Sequence, residues 1–142
     1  MVFGYSIQYP GSWLDVSKAT GDGAGARSFS NEAVKDNRLT GLDEKGIVFR
    51  VAVAPLDGRC IPGGYENRPF TPFTASVDGV TGTVAGYDSR PPADPESNVF
   101  IDVGRANQCY MFMATTKSAA TRDSFIPLFL QMLSTFRFGS GS

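Results

Sequence analysis

One stretch of the chain repeats apolar residues at helical spacing. Phe125, Leu128, Phe129, Met132, Leu133 and Phe136 recur at i, i+3, i+4, i+7, i+8 and i+11. That is a single broad stripe, and a helix carrying it must bury it against another element. The other patterned segments are strand-like, so the chain has one helix with which to cover a sheet. This predicts an α+β fold, a mostly antiparallel β-sheet covered by a C-terminal helix, with the short Phe-rich strand Phe136-Arg137-Phe138 after it. Each large side chain of the stripe contributes roughly 1.5–3 kcal/mol on burial. The helix start is open to two readings because Pro127 is awkward in a helix interior. Either Ser124 caps it and Pro127 falls in the first turn, or the cap lies nearer Ser118 or Thr121 and Pro127 is internal.

The strands follow from alternation. Tyr5, Ile7 and Tyr9 alternate with Ser6 and Gln8, the period of a half-buried strand, until Pro10-Gly11 turns the chain toward Trp13-Leu14-Asp15-Val16. Arg27 to Ser30 reads as a short strand, and residues 31–45 as a polar loop with room for one helical turn. In Ile47 to Ala54, Ile47, Phe49, Val51 and Val53 share one face, while Arg50 and small alanines share the other. Phe73–Val77 and Val80–Tyr87 flank Asp78-Gly79, a two-residue hairpin signal because both residues tolerate positive φ. Gly82 and Gly86 within the second of these strands imply bulges or close packing. A second hairpin joins Asn98–Val103 to Gln108–Thr115 through a turn within Gly104-Arg105-Ala106-Asn107. Tyr110 and Phe112 have two orientations open to them, outward or into the helix, and core packing is the simpler. Some six to eight strands result. Residues 2–138 are expected to form a single domain, with 139–142 (Gly-Ser-Gly-Ser) as a linker or tag remnant.

Composition removes whole classes of chemistry. The chain has no histidine, the commonest general base, zinc ligand and partner of a Ser or Cys nucleophile. Thirteen basic and fourteen acidic residues leave net charge −1 without a basic stripe, so no nucleic-acid surface is expected. Two cysteines, Cys60 and Cys109, are too few for a thiolate zinc site and too distant in sequence for a C-x-x-C motif. No apolar run reaches the roughly 20 residues that span a bilayer. Gly21-Asp22-Gly23-Ala24-Gly25 lacks the Gly-Lys-Ser/Thr ending of a phosphate loop and reads as a flexible connection. No catalytic residue, metal site or cofactor is expected.

Two places carry candidate recognition chemistry. Residues 55–70 form a long Pro/Gly-punctuated loop bearing Arg59, Tyr65, Glu66, Asn67, Arg68 and Phe70, the aromatic and arginine mixture of an interaction patch. The plainer alternative is a connector whose Tyr65 and Phe70 cover a sheet edge. Tyr87 and Arg90, beside Pro91-Pro92, form a second, smaller candidate. Among the carboxylates Asp57, Asp78, Asp88, Asp94, Glu96 and Asp102, most read as solvated turn residues. Asp102 differs, lying mid-strand between Ile101 and Val103, where pairing with Arg105 or Arg50 is the simplest expectation.

The opening Tyr5-Ser6-Ile7-Gln8-Tyr9-Pro10-x-x-Trp13 resembles the aromatic-x-φ-x-Tyr-Pro-x-x-Trp start of the PsbP/Mog1-like superfamily. Met132-Leu133-Ser134-Thr135-Phe136-Arg137-Phe138 is similar to that family's closing helix and Ser-Phe-x-φ strand, and Asp78-Gly79-Val80-Thr81-Gly82 to its mid-domain hairpin. The resemblance implies an α/β/α-like sandwich around an antiparallel sheet, and non-catalytic roles in binding and assembly. The exported bacterial lipoprotein branch looks nearest. It implies an extracytoplasmic protein, secreted or anchored through a removed segment, whose partner is a protein or an apolar small ligand held by the aromatic and arginine loop or in a sheet-face groove. In that setting Cys60 and Cys109 are expected to form a disulfide closing 48 intervening residues, contributing about 4 kcal/mol by the chain-entropy model. The alternative is two free thiols, with Cys109 a small buried hydrophobe. Besides the binding domain, two other functions stay open: a sensor module of a membrane protein, and a hydrolase working through carboxylates alone.

Overall fold

The computed structural model describes residues 5–17, 25–31, 45–55, 70–89 and 96–139. The described elements are β1 (Tyr5–Ser6), β2 (Leu14–Asp15), β3 (Ala26–Ser30), β4 (Ile47–Pro55), β5 (Phe73–Val77), β6 (Val80–Ser89), β7 (Glu96–Arg105), β8 (Gln108–Thr116), α1 (Ala119–Thr135) and β9 (Arg137–Phe138). A seven-stranded sheet runs in the order β2-β3-β4-β8-β7-β6-β5 with antiparallel pairing throughout. β1 and β9 form a separate antiparallel ribbon. The expected antiparallel sheet with one C-terminal helix is what the chain builds. The helices described number one, on one face, so the second helical layer implied by the resemblance has no counterpart among the described residues.

Alternation sorts the long strands into two faces. In β4, Ile47, Phe49, Val51 and Val53 are buried, and they join Ile101, Val103, Tyr110, Phe112 and Ala114 in the core under α1. Tyr110 and Phe112 therefore point into the helix side. Their rings meet Phe136 edge-on at 5.9 and 4.9 Å, and Phe136 also stacks on Tyr5 at 5.4 Å. Trp13 stacks on Phe125 at 5.7 Å, which ties the N-terminal segment to the helix.

The N-terminal strand is shorter than its alternation predicts. Only Tyr5–Ser6 pairs, with Phe138 and Arg137. Beyond it the backbone finds other partners: Gln8 N–H donates to Thr135 Oγ1 at 2.9 Å, and Trp13 N–H closes a turn on the Pro10 carbonyl at 2.9 Å. Past Ser6 the period-2 pattern reflects packing and not a ladder: Tyr9 stacks on Phe29 of β3 at 4.2 Å.

Both hairpins use two-residue turns with both residues left-handed, the geometry that follows strand twist. Asp78 and Gly79 have φ of 46° and 86°, and Ala106 and Asn107 have 53° and 62°. Strands β7 and β8 thus extend to Arg105 and Gln108, closer to the turn than the sequence suggests. β6 changes partner midway, pairing with β5 through Val84 and with β7 from Ala85 onward. Its glycines serve close packing. A Cβ on Gly82 would stand 2.9 Å from Ile101 and Val103, and one on Gly86 would stand 2.4 Å from the Asn98 carbonyl oxygen.

Of the two helix starts, the structure takes the earlier. Ser118 is the N-cap, its Oγ accepting from Thr121 N–H at 3.1 Å, while Ser124 Oγ donates back to the Thr121 carbonyl. Pro127 is internal. It is tolerated because Pro127 and Asp123, whose carbonyl would have accepted the missing N–H, both lie exposed, so water can take the bond. Phe125, Phe129, Met132, Leu133 and Phe136 are buried as the stripe requires.

Candidate functional site

The face of the sheet opposite α1 carries a groove of about 430 Å³, lined among the described residues by Gly25, Ala26, Arg50, Ala52, Val53, Ala54, Met111 and Met113. Its shape follows from residue size. The register sets Ala26 beside Ala52, Ala52 beside Met111, and Arg50 beside Met113. Small side chains on two neighbouring strands leave a trough, with longer ones standing along its sides. Val53 N–H donates to the Gly25 carbonyl at 2.7 Å, holding the chain entering β3 along the rim. Met111 and Met113 are half-buried and Arg50 is exposed. Flexible thioethers around a small-residue floor make an adaptable apolar lining.

One strand further along the same face, Asp102 pairs in register with Met111 and Phe100 with Met113. Burial pushes the Asp102 carboxyl up. The expected pairing with Arg105 or Arg50 is not made. Arg105 instead places its guanidinium 4.4 Å from the Phe138 ring centroid. Tyr87 is half-buried and packs edge-on against Phe100 at 6.2 Å.

Of the residues singled out in the 55–70 loop, Arg59, Cys60, Tyr65, Glu66, Asn67 and Arg68 lie outside the described residues, as do Asp57, Arg90 and Asp94. Phe70 is described, and it is not a surface anchor. It is buried in the core, tilted against Phe73 at 6.1 Å, with its ring 5.1 Å from the Arg122 guanidinium. Packing explains this: the bare backbone of Gly86 leaves room for the ring, whose nearest atom would stand 3.0 Å from a Cβ there. Cys109 is fully buried on β8, in register with Ala54 and Gly104 on the helix-free face.

Sequence reading left one feature unplaced and missed another. The first is the sheet-face groove, expected without residues assigned to it, although its signal was present in the alternation Arg50-x-Ala52-x-Ala54 and Met111-x-Met113. The second is Arg122, buried near the start of α1. It donates to Asp88 Oδ1 at 2.7 Å and to Asp123 Oδ1 at 3.0 Å. Asp88 lies 34 residues away in sequence, and nothing local announces the pair. Other described carboxylates are also engaged. Asp78 accepts from Phe138 N–H at 3.0 Å. Asp15 accepts from the Ser17 hydroxyl and N–H, which with nearby Arg27 hold its carboxyl below the usual range. The described residues contain no group of three or more His, Cys, Asp or Glu placed to hold a metal.

No protein-family model matches the chain, and no curated protein matches it. Solved structures do. A Bacteroides thetaiotaomicron protein matches with TM-score 0.58 at 13% identity, over 96% of this chain and 46% of its own, so this chain spans about half that length. The Saccharomyces cerevisiae Ran-binding protein Mog1p matches with TM-score 0.56 at 9% identity, over 95% of this chain and 90% of its own. Cyanobacterial PsbP from Synechocystis sp. PCC 6803 matches with TM-score 0.57 at 12% identity, over 96% and 87%. Strand order, antiparallel pairing and the closing helix together give this chain the PsbP/Mog1-like fold.

Proposed function

We propose that the chain is a non-enzymatic binding domain that holds its ligand in the groove on the helix-free face. The observation that carries this is the trough itself: an apolar concavity of about 430 Å³, within the size range of small-ligand sites. The engagement of Asp15, Asp78, Asp88 and Asp123 with protein partners supports binding over carboxylate chemistry. The description of Mog1p as a Ran-binding protein supports a binding role for this architecture, a protein partner included.

The extracytoplasmic, lipoprotein-type setting is part of the proposal, as is the Cys60–Cys109 disulfide. The absence of free cysteines among the described residues supports that bond. Thiol titration of denatured, unreduced protein tests it, and two reactive thiols would remove it.

The groove is tested with an apolar fluorescent dye such as N-phenylnaphthylamine. The native protein should enhance its emission, and Ala52→Trp or Ala54→Phe, each filling the trough, should abolish the enhancement while circular dichroism stays native. Undiminished emission from both folded variants would overturn the site.

A further inference from the structure

We infer that the groove takes a medium-chain amphiphile with an anionic head, oriented with the head at Arg50 and the apolar chain running over Ala52 and Ala54. The inference rests on the groove being the ligand site. Arg50 is the one charged side chain among the described lining residues. A guanidinium offers five N–H donors in a planar fork, so it can hold a carboxylate or phosphate alongside any existing contact. The face also has charge polarity. Arg50 sits in register with Met113, whereas Asp102 sits in register with Met111, two residues along β8 and on its far side. Arg50 stands at one end of the Ala52–Ala54 floor and so sets the direction of the ligand along β4, while Asp102, level with Ala52 across β8, lies beside the uncharged chain.

The remaining lining fits an unbranched chain. Ala26, Ala52 and Ala54 provide no branched obstruction, and Met111 and Met113 adapt to whatever lies between them. The volume of about 430 Å³ equals roughly fourteen water volumes, room for about ten to fifteen heavy atoms. Decanoate and decyl phosphate are of that size.

The experiment displaces the bound dye from the full chain with decanoate, decyl phosphate, decanol and decylamine. Decanoate or decyl phosphate should bind about fivefold more tightly than decanol at low salt. The tighter of the two identifies a carboxylate or a phosphate source. Arg50→Gln should level the anionic compounds with decanol, and Arg50→Lys should restore part of the preference. Equal binding of decanol and the anions to the native protein would overturn the inference while leaving the groove as an apolar site. Preferential binding of decylamine would overturn it in favour of Asp102 as the reader of the head. Failure of all four to displace the dye would remove the groove reading as well.

Discussion

Arg122 brings a charge into the core at the end of α1 where the helix dipole disfavours a cation, so its counter-charges decide its cost. Its side chain is 4% exposed, that of Asp88 24% and that of Asp123 59%. This asymmetry predicts unequal effects from breaking the same pair. Asp88→Ala leaves a buried guanidinium with only the exposed Asp123 at 3.0 Å. Removing one partner of a buried pair typically costs 3–5 kcal/mol. Partial exposure of Asp88 and the surviving Asp123 contact lower that to about 2–3 kcal/mol. Arg122→Met replaces the guanidinium over Phe70 with a thioether that can also pack on the ring and frees Asp88 to hydrate, so it should cost no more than about 1 kcal/mol. The double variant should match Arg122→Met, giving a coupling of about 2 kcal/mol. Urea unfolding of all four proteins measures these values from midpoint shifts at constant slope. Asp88→Ala should also lower Tm by about 5–10 °C. An Arg122→Met penalty equal to that of Asp88→Ala, or a coupling below about 0.5 kcal/mol, would refute the reasoning.

Other expectations follow from the packing. Gly86→Ala should destabilise by about 3 kcal/mol, because the added Cβ meets backbone oxygen at 2.4 Å; Gly82→Ala should cost less, because the atoms it meets are side-chain methyls and methylenes that can shift. Both are read by urea unfolding. Ala106→Gly should stabilise by about 0.5–1 kcal/mol, since Ala106 holds φ 53° and glycine carries no left-handed penalty. Phe136→Ala should cost about 3–5 kcal/mol, since its fully buried ring contacts Tyr5, Tyr110, Phe112 and Phe138. Asp102 titrates above its unfolded value, so ionising it opposes folding. Native stability should therefore fall as pH rises from about 4 through the folded-state pKa. Asp102→Asn should remove that decline, leaving the proteins similar at low pH and the variant more stable at neutral pH.

The long strands and the helix were legible because each carries its own period, whereas the alternation from Tyr5 to Tyr9 overstated a strand that ends at Ser6. Ile47 to Ala54 states both its faces, and the 125–136 stripe states which side of α1 is buried. The Asp78-Gly79 turn was legible because few residue pairs accept two positive φ values. The Ala106-Asn107 turn was less so, because alanine takes that conformation only when strand register imposes it. The helix start was ambiguous because Ser118 and Ser124 are equally good caps in isolation, and the solvent-facing placement of Pro127 permits the earlier one. Phe70 was legible as an aromatic in a loop but not as a core residue. Its burial depends on the gap at Gly86, 16 positions away in sequence.

Local period and residue size determined the element types and the covered face of the sheet, because these properties act within a few residues of one another. The fold decided what meets across long separations: Arg122 with Asp88, Phe70 with Gly86, and the small residues of β3 and β4 with the methionines of β8. Those juxtapositions come from strand order and register. They created the groove, since a trough needs small side chains from neighbouring strands to coincide, and no single strand contains that information.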